Sequence, residues 1–305
     1  MLTGTHAFDQ DPRNADILIY VDGEIVPRNA ARVSVFDSGF LLGDGVWEGL
    51  RLHAGKLLFS AEHLDRLYAG AKSIDLDIGI SPDELLDKIG ATLDANAMTT
   101  DVHIRLVVTR GLKLTPFQHP AANVGGPTIV IIPEYKVASE ATQSQGIRLF
   151  TVHVRRGAPD QQDPKLNSLS KLNCITACIQ AHKAGADEAL MLDPHGFVAT
   201  CNSTNFFMVR KGAVKTSTGR YCLHGVTRGA IIRLCREHDI PVAEADFSLA
   251  DVYGADEAFV TSTFAGVIPV IDVDGRSMSD GRRGPLTRRL QDLYAALVNA
   301  QTAGG

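Results

Sequence analysis

The sequence predicts an α/β protein of two domains, with strands and helices mixed in the α+β manner. Three observations carry that expectation. Short β-branched and aromatic runs alternate with stretches of helical periodicity along the whole chain. The earliest runs fold back on turn residues, which marks hairpins. A polar stretch, residues 134–145, interrupts the apolar pattern near the middle.

Taken in order, ILIYVDGEIVP places two apolar runs around Asp22-Gly23, a hairpin signal. RLHAGKLLFS repeats it with Gly55 at the turn, and Ala61 to Ala71 then sets Leu64, Leu67 and Ala71 at helical spacing. A second helix is expected over Pro82 to Ala95. Two strands follow, VHIRLVVT and PTIVIIP, with a loop at Gly111 to Gly126 between them. These elements form a smaller N-terminal domain, residues 1–133, joined by a linker, 134–145, to a larger C-terminal domain, 146–305.

The second domain opens with a strand at Ile147 to Val154 and a charged loop. A helix then carries Leu172, Ile175, Ile179 and His182 on one face. The strands EALML, FVAT, NFFMV, AVKT and EAFVT alternate with helices near Thr227 to His238 and Leu286 to Val298. The final TAGG is expected to be unstructured.

Composition narrows the function classes. The chain has 305 residues, 30 Lys and Arg against 35 Asp and Glu, and a net charge of −5. No run of cations offers a nucleic-acid footprint. No apolar stretch approaches the roughly 20 residues that span a bilayer, and MLTGTHAFDQDPRNAD is too polar for a signal peptide. A cytoplasmic protein with neither nucleic-acid nor membrane partner is expected. The five cysteines, Cys174, Cys178, Cys201, Cys222 and Cys235, form no CxxC or His-spaced zinc pattern and read as reduced, mostly buried thiols.

The segment DSGFLLGDGVWEGLR, Asp37 to Arg51, places four glycines beside the single Trp and a Glu. It is not a phosphate loop, because GxxxxGK[ST] is missing and GDG lacks the GxGxxG spacing. Together with HLDRL (His63 to Leu67), GADEALMLD (Gly185 to Asp193), STNFFMVRKG (Ser203 to Gly212), HGVTR (His224 to Arg228) and FVTSTFAGVIPV (Phe259 to Val270), it resembles the fold-type IV pyridoxal-phosphate enzymes in order and spacing. That family holds the branched-chain and D-amino-acid aminotransferases and aminodeoxychorismate lyase. The resemblance implies a two-domain homodimer with pyridoxal 5'-phosphate held between the domains.

A phosphate dianion is best met by a guanidinium and by the free amides of a helix N-terminus. Arg66 matches the family's phosphate arginine, Val226 and Thr227 precede a helix, and Ser262 and Thr263 match a second phosphate-binding turn. Two departures accompany these matches. The position of the family's Schiff-base lysine falls on Asn167, which leaves Lys171 and Lys165 as candidates. Lys171 stands where branched-chain enzymes carry a tyrosine near the cofactor. With Ser168 or Ser170 as cap it would sit in a helix's first turn, where the dipole disfavours a cation and favours a nucleophilic amine. Lys165 requires a bulge. Thr200 replaces the glutamate that pairs with the ring nitrogen, with Asn202 as a compensating neighbour.

For substrate, Arg105 matches the arginine that takes the side-chain carboxylate of glutamate, and His103 stands where the family has a tyrosine. The D-specific carboxylate trap is replaced by Thr115 and Phe117. The amides of Phe264 and Ala265 are candidates for the substrate's main carboxylate, and Trp47 with Phe40 and Phe264 predicts an apolar pocket. The leading expectation is an aminotransferase moving the amino group of a branched or aromatic L-amino acid to a 2-oxo acid such as 2-oxoglutarate. A lyase of the aminodeoxychorismate lyase type and a catalytically altered cofactor-binding homologue stand beside it.

Overall fold

The computed structural model describes residues 4–7 and 10–303. They fall into two compact units. The N-terminal unit comprises Gln10–Val137 with Asn167–Lys171, and the C-terminal unit comprises the described parts of Met1–Asp9 and Leu172–Gly305 together with Ala138–Leu166. The change of unit at 137/138 lies inside the expected linker, yet that stretch is not structureless: a strand runs through Tyr135 and a helix occupies Glu140–Gln145.

Among the described residues, the N-terminal unit is built on a six-stranded antiparallel sheet. Its strands are β1 (Leu18–Val21), β2 (Glu24–Pro27), β3 (Gly45–His53), β4 (Lys56–Leu58), β5 (Val102–Thr109) and, counting the short pair β6 (Leu112–Lys113) and β7 (Asn123–Val124), β8 (Thr128–Tyr135). The order is β2-β1-β8-β5-β3-β4. Both expected hairpins form, with Asp22 and Gly23, then Ala54 and Gly55, at positive φ as tight two-residue turns require. The expected loop at 111–126 holds the β6–β7 ribbon.

Three helices complete the unit: α1 (Ser38–Leu42), α2 (Ser60–Ser73) and α3 (Pro82–Ala95). Gly43, at φ 68°, ends α1 in the left-handed conformation that glycine adopts without steric cost. Pro82 opens α3, and Ser81 with Glu84 forms a reciprocal capping box. Strand alternation decides which side chains go inward. Val46, Glu48, Leu50 and Leu52 of β3 and Ile104 and Leu106 of β5 are buried, while Trp47, Arg51, His103 and Arg105 point to the opposite, half-exposed face.

The C-terminal unit carries a larger mixed sheet, preceded by α4 (Glu140–Gln145). Its elements are β9 (Ile147–Thr151), α5 (Pro159–Gln162), α6 (Leu172–Lys183), β10 (Glu188–Leu192), β11 (Val198–Cys201), β12 (Asn205–Arg210), β13 (Ala213–Thr216), α7 (Val226–Glu237), β14 (Val242–Glu244), α8 (Leu249–Tyr253), β15 (Glu257–Ser262), β16 (Gly266–Val273), β17 (Arg276–Ser277) and α9 (Pro285–Ala303). The sheet runs β11-β10-β9-β16-β15-β12-β13-β14, with β17 on β16. Phe206, Phe247, Val260 and Ile268 anchor its core.

Leu172, Ile175 and Ile179 share one face of α6 as their spacing predicts, and two other expectations are corrected here. The α6 stripe of Leu172, Ile175 and Ile179 faces outward, at 74%, 51% and 49% exposure, and the helix seats its small side Ala177 and Ala181 against Val152, Ala189 and Met191. Small residues let a helix lie close on a sheet, so the apolar stripe is not the buried one. Next, α6 begins at Leu172, so Lys171 stands immediately before the helix and not in its first turn. Finally, Thr302 and Ala303 of the terminal TAGG belong to α9, while Gly304 and Gly305 lie outside the described residues.

Candidate active site

Within the N-terminal unit, the chemistry gathers at the start of β3. Strand β4 pairs only with Arg51, Leu52 and His53, which leaves the edge of β3 open at its beginning. Residues 167–169 fill that edge. Trp47 N donates to the Asn167 carbonyl at 3.0 Å, and Leu169 N donates to the Gly45 carbonyl at 2.9 Å. The Trp47 indole Nε1 donates to the Ser168 carbonyl at 3.1 Å. A segment with no regular structure of its own is thereby fixed to a sheet edge, and Lys171 follows it.

Glu48 points inward from β3 to α2, where His63 and Arg66 are three apart and share a helix face. Arg66 donates Nε and Nη2 to the two Glu48 oxygens, each at 2.7 Å, and His63 Nδ1 meets Oε2 at 2.7 Å. Burial alone would raise the Glu48 carboxyl, but the bonds from His63 and Arg66 outweigh it and hold the group below its ordinary value. Such a bidentate pair fixes the plane of a guanidinium. Glu48 is thus the residue that sets the phosphate candidate Arg66. It was not among the expected site residues, although strand alternation already places it on the helix side.

Lys171 Nζ donates to Asn167 Oδ1 at 3.0 Å and lies 5.2 Å from the Trp47 ring centroid. Lys165 is placed differently. It is an exposed turn residue of the other unit, with its ammonium 4.0 Å from Asp163. On the open face of the N-terminal sheet, the Arg105 guanidinium stacks on Trp47 at 3.7 Å from its centroid. Arg105 pairs in register with Gly49, and a side chain at Gly49 would crowd the His103 ring. The missing side chain therefore leaves room for the His103 and Trp47 rings. Phe40, expected beside Trp47, is 68% exposed on α1.

The C-terminal unit holds the other expected residues. Helix α7 starts after Gly225 with no side-chain cap, so the first-turn amides at Val226 and Thr227 are not taken up by a capping side chain. Asn205 pairs in register with Thr261, donates Nδ2 to the Leu223 carbonyl at 2.9 Å, and occupies the space a Gly225 Cβ would need. These contacts bring the start of α7 to the end of β15, where Ser262 and Thr263 enter the turn. Thr261 Oγ1 is buried with no partner among the described residues. An uncapped helix start against a tight hydroxyl-rich turn fits a phosphate dianion.

In that turn, Ala265 N is already held by Ser262 Oγ at 3.1 Å and Ala265 O by Gln143 at 3.2 Å, so the Ala265 amide is not open to a carboxylate. Phe264 is buried and stacks on His6. Thr200 Oγ1 donates to the Thr204 carbonyl at 2.7 Å and so retains only acceptor capacity. Asn202 Oδ1 accepts from Ala189 N at 2.7 Å, which pins the turn after β11. Glu188, buried below that turn, accepts from Ser203 N, Ser203 Oγ, Thr204 Oγ1 and Thr5 Oγ1. Its burial raises the carboxyl, and the three hydroxyls only partly offset this.

Pyridoxal phosphate asks a chain for an anion seat, an amine and a partner for its ring nitrogen. In the N-terminal unit Arg66 is the guanidinium candidate for the anion and Lys171 the candidate amine, and in the C-terminal unit the uncapped start of α7 offers free amides. Thr200, the candidate for the third of these, carries a neutral hydroxyl and no carboxylate, with its proton given to the Thr204 carbonyl. Taken by itself, each unit carries residues of the kinds the group needs.

Comparison with known proteins agrees. Residues 45–273 match the family model "Amino-transferase class IV". The chain is 41% identical over 94% of its length to branched-chain-amino-acid aminotransferase-like protein 2 of Arabidopsis thaliana, and spans 51% of that relative. It is 34% identical to the branched-chain-amino-acid aminotransferase of Pseudomonas aeruginosa, covering 94% of both chains. In structure it is similar to the T.th. branched-chain amino acid aminotransferase complexed with N-(5'-phosphopyridoxyl)-L-glutamate, with TM-score 0.84 and 29% identity over 94% of this chain and 95% of that one. The chain spans about half the length of the plant relative that it matches.

Proposed function

Because this chain belongs to the class IV aminotransferase family, we propose that it is a pyridoxal-phosphate-dependent aminotransferase. It moves the amino group of an L-amino acid with a branched or aromatic side chain to a 2-oxo acid such as 2-oxoglutarate. The observation that carries the reading is the Lys171 amine, held 3.0 Å from Asn167 in the same unit as the Arg66–Glu48 pair.

Bound pyridoxal phosphate supplies an electrophilic aldehyde and a ring that accepts the electron pair left at the substrate's α-carbon. When the cofactor is bound, Arg66 would pair with a phosphate oxygen, and the first amides of α7, with Ser262 and Thr263, would offer it N–H and O–H donors. Glu48 keeps the Arg66 fork in one plane. Lys171 Nζ would supply the nucleophilic amine that anchors the cofactor, and would serve as general base at the substrate's Cα. Thr200 would offer a lone pair to the ring nitrogen when that nitrogen carries a proton. Arg105, with His103 beside it, receives a second carboxylate when 2-oxoglutarate is the acceptor, and Trp47 forms an apolar wall.

The chain acts as a homodimer in the cytoplasm. Support for the dimer is the exposed apolar surface of the N-terminal unit, where Val35, Phe40, Leu114 and Phe117 are 65%, 68%, 75% and 53% exposed. Free cysteines and the lack of any helix, among the described residues, long and apolar enough to cross a membrane fit that location.

Borohydride reduction of the cofactor-loaded protein, followed by peptide mass mapping, tests the central claim. A pyridoxyl label on Lys171, with spectral conversion of the cofactor by L-leucine or L-phenylalanine and its return with 2-oxoglutarate, supports the reading. A label elsewhere, or pyruvate release without any oxo-acid acceptor, overturns it.

A further inference from the structure

The Asn167 side chain is 5% exposed and both its ends are engaged. Its Nδ2 donates to the Trp47 carbonyl at 2.7 Å and faces Glu48 Oε1 at 3.5 Å. Its Oδ1 accepts from Lys171 Nζ at 3.0 Å. The orientation of the carboxamide is overdetermined. Turned over, it would set Oδ1 against a carbonyl and a carboxylate, and would present an N–H to an ammonium. The backbone at Asn167 is equally fixed, because its carbonyl takes the Trp47 amide. An amine that donates to such a rigid acceptor keeps its remaining valences in defined directions.

We propose that Asn167 is a positioning residue for Lys171: its carboxamide, clamped by the Trp47 carbonyl and Glu48, sets where the Lys171 amine sits and which way it points. The inference rests on the reading of Lys171 as the cofactor's lysine and adds the device that aims it. The same clamp joins Lys171 through Asn167 and Glu48 to Arg66, so the amine and the phosphate arginine share one scaffold.

The test is competitive acetylation of the cofactor-free chain across alkaline pH, with peptide mapping, in the wild type, Asn167→Ala and Asn167→Asp. Lys165, exposed in the other unit, is the internal reference. An acceptor on the ammonium stabilises the charged form. Removing it in N167A is expected to raise the acid dissociation constant of Lys171 about tenfold, and the carboxylate of N167D to lower it by a similar factor. Lys165 should titrate alike in all three chains.

Unchanged titration of Lys171 in both variants, with circular dichroism showing them folded, overturns the proposal. If N167A does not fold, N167D decides alone, and an unshifted Lys171 there overturns it equally. Borohydride mapping of the loaded wild type separates the two failures. A pyridoxyl label away from Lys171 removes the functional reading, whereas an unshifted acetylation profile removes only the role of Asn167.

Discussion

Arg66 sets its Nε against one oxygen of Glu48 and its Nη2 against the other, each at 2.7 Å, on a carboxylate that is fully buried. Removing one member of a buried pair leaves the other uncompensated and costs about 3–5 kcal/mol. Glu48→Ala is therefore expected to destabilise the chain by that order and to weaken cofactor binding as the Arg66 fork loses its plane. The pH dependence has a definite sign. The Glu48 carboxyl lies below its ordinary value of 4.5 in the fold, so its stabilisation is present above that pH and lost as pH falls through the lower folded value. Urea titrations from neutral to acid pH should show the gap between wild type and Glu48→Gln closing on acidification. A gap that stays constant would sink this account.

Gly225 faces Asn205 so closely that a Cβ would overlap the Asn205 side-chain oxygen. Gly225→Ala must push the start of α7 away from β12. The expected costs are about 1–3 kcal/mol of stability, as for other overpacked sites, and weaker binding of inorganic phosphate by the cofactor-free chain. Calorimetric titration with phosphate checks the second. Pairing the change with Asn205→Ala removes the clash, so the double variant should recover part of the stability lost by the single one.

The elements were legible because they follow from local rules: paired positive-φ turns at Asp22-Gly23 and Ala54-Gly55, and the Ser81–Glu84 box before α3. Several tertiary relations were not. The outward stripe of α6 has correct helical spacing, and only the sheet decides that Ala177 and Ala181 are buried instead. The site divides in the same way. Arg66, Thr227 and Ser262 belong to contiguous motifs, whereas the Asn167 strap depends on β4 being too short to cover the first part of β3. No spacing along the chain encodes that open edge.

Thr200 commits its proton to the Thr204 carbonyl and can offer a ring nitrogen only a lone pair. Thr200→Glu buries a carboxylate whose partner arrives only with the cofactor. The cofactor-free variant should melt below the wild type, and pyridoxal phosphate should raise its transition more than it raises the wild type's. With the ring nitrogen then paired to an anion, removal of the Cα proton should speed up on the order of tenfold, for about 1.4 kcal/mol of added stabilisation. Single-turnover absorbance with a deuterated substrate reads that step. A variant no faster than wild type would show that the neutral acceptor is sufficient.

Arg105 lies flat on Trp47 with burial lowering its pKa and Glu134 and Glu48 opposing that shift, and an arginine so placed remains a cation. A cation held on an apolar wall is a receptor for a second carboxylate, and Trp47 makes it rigid. Arg105→Met keeps the stem length and removes the charge. Loss of a charged hydrogen bond of about 1.5–3 kcal/mol corresponds to roughly a ten- to hundredfold fall in kcat/KM with 2-oxoglutarate. A monocarboxylic acceptor such as 2-oxobutyrate makes no such bond and should be used as well by the variant as by the wild type. Steady-state kinetics with the two acceptors decides the matter: an equal fall for both would mean that Arg105 supports the sheet face or the cofactor, and that the distal carboxylate is bound elsewhere.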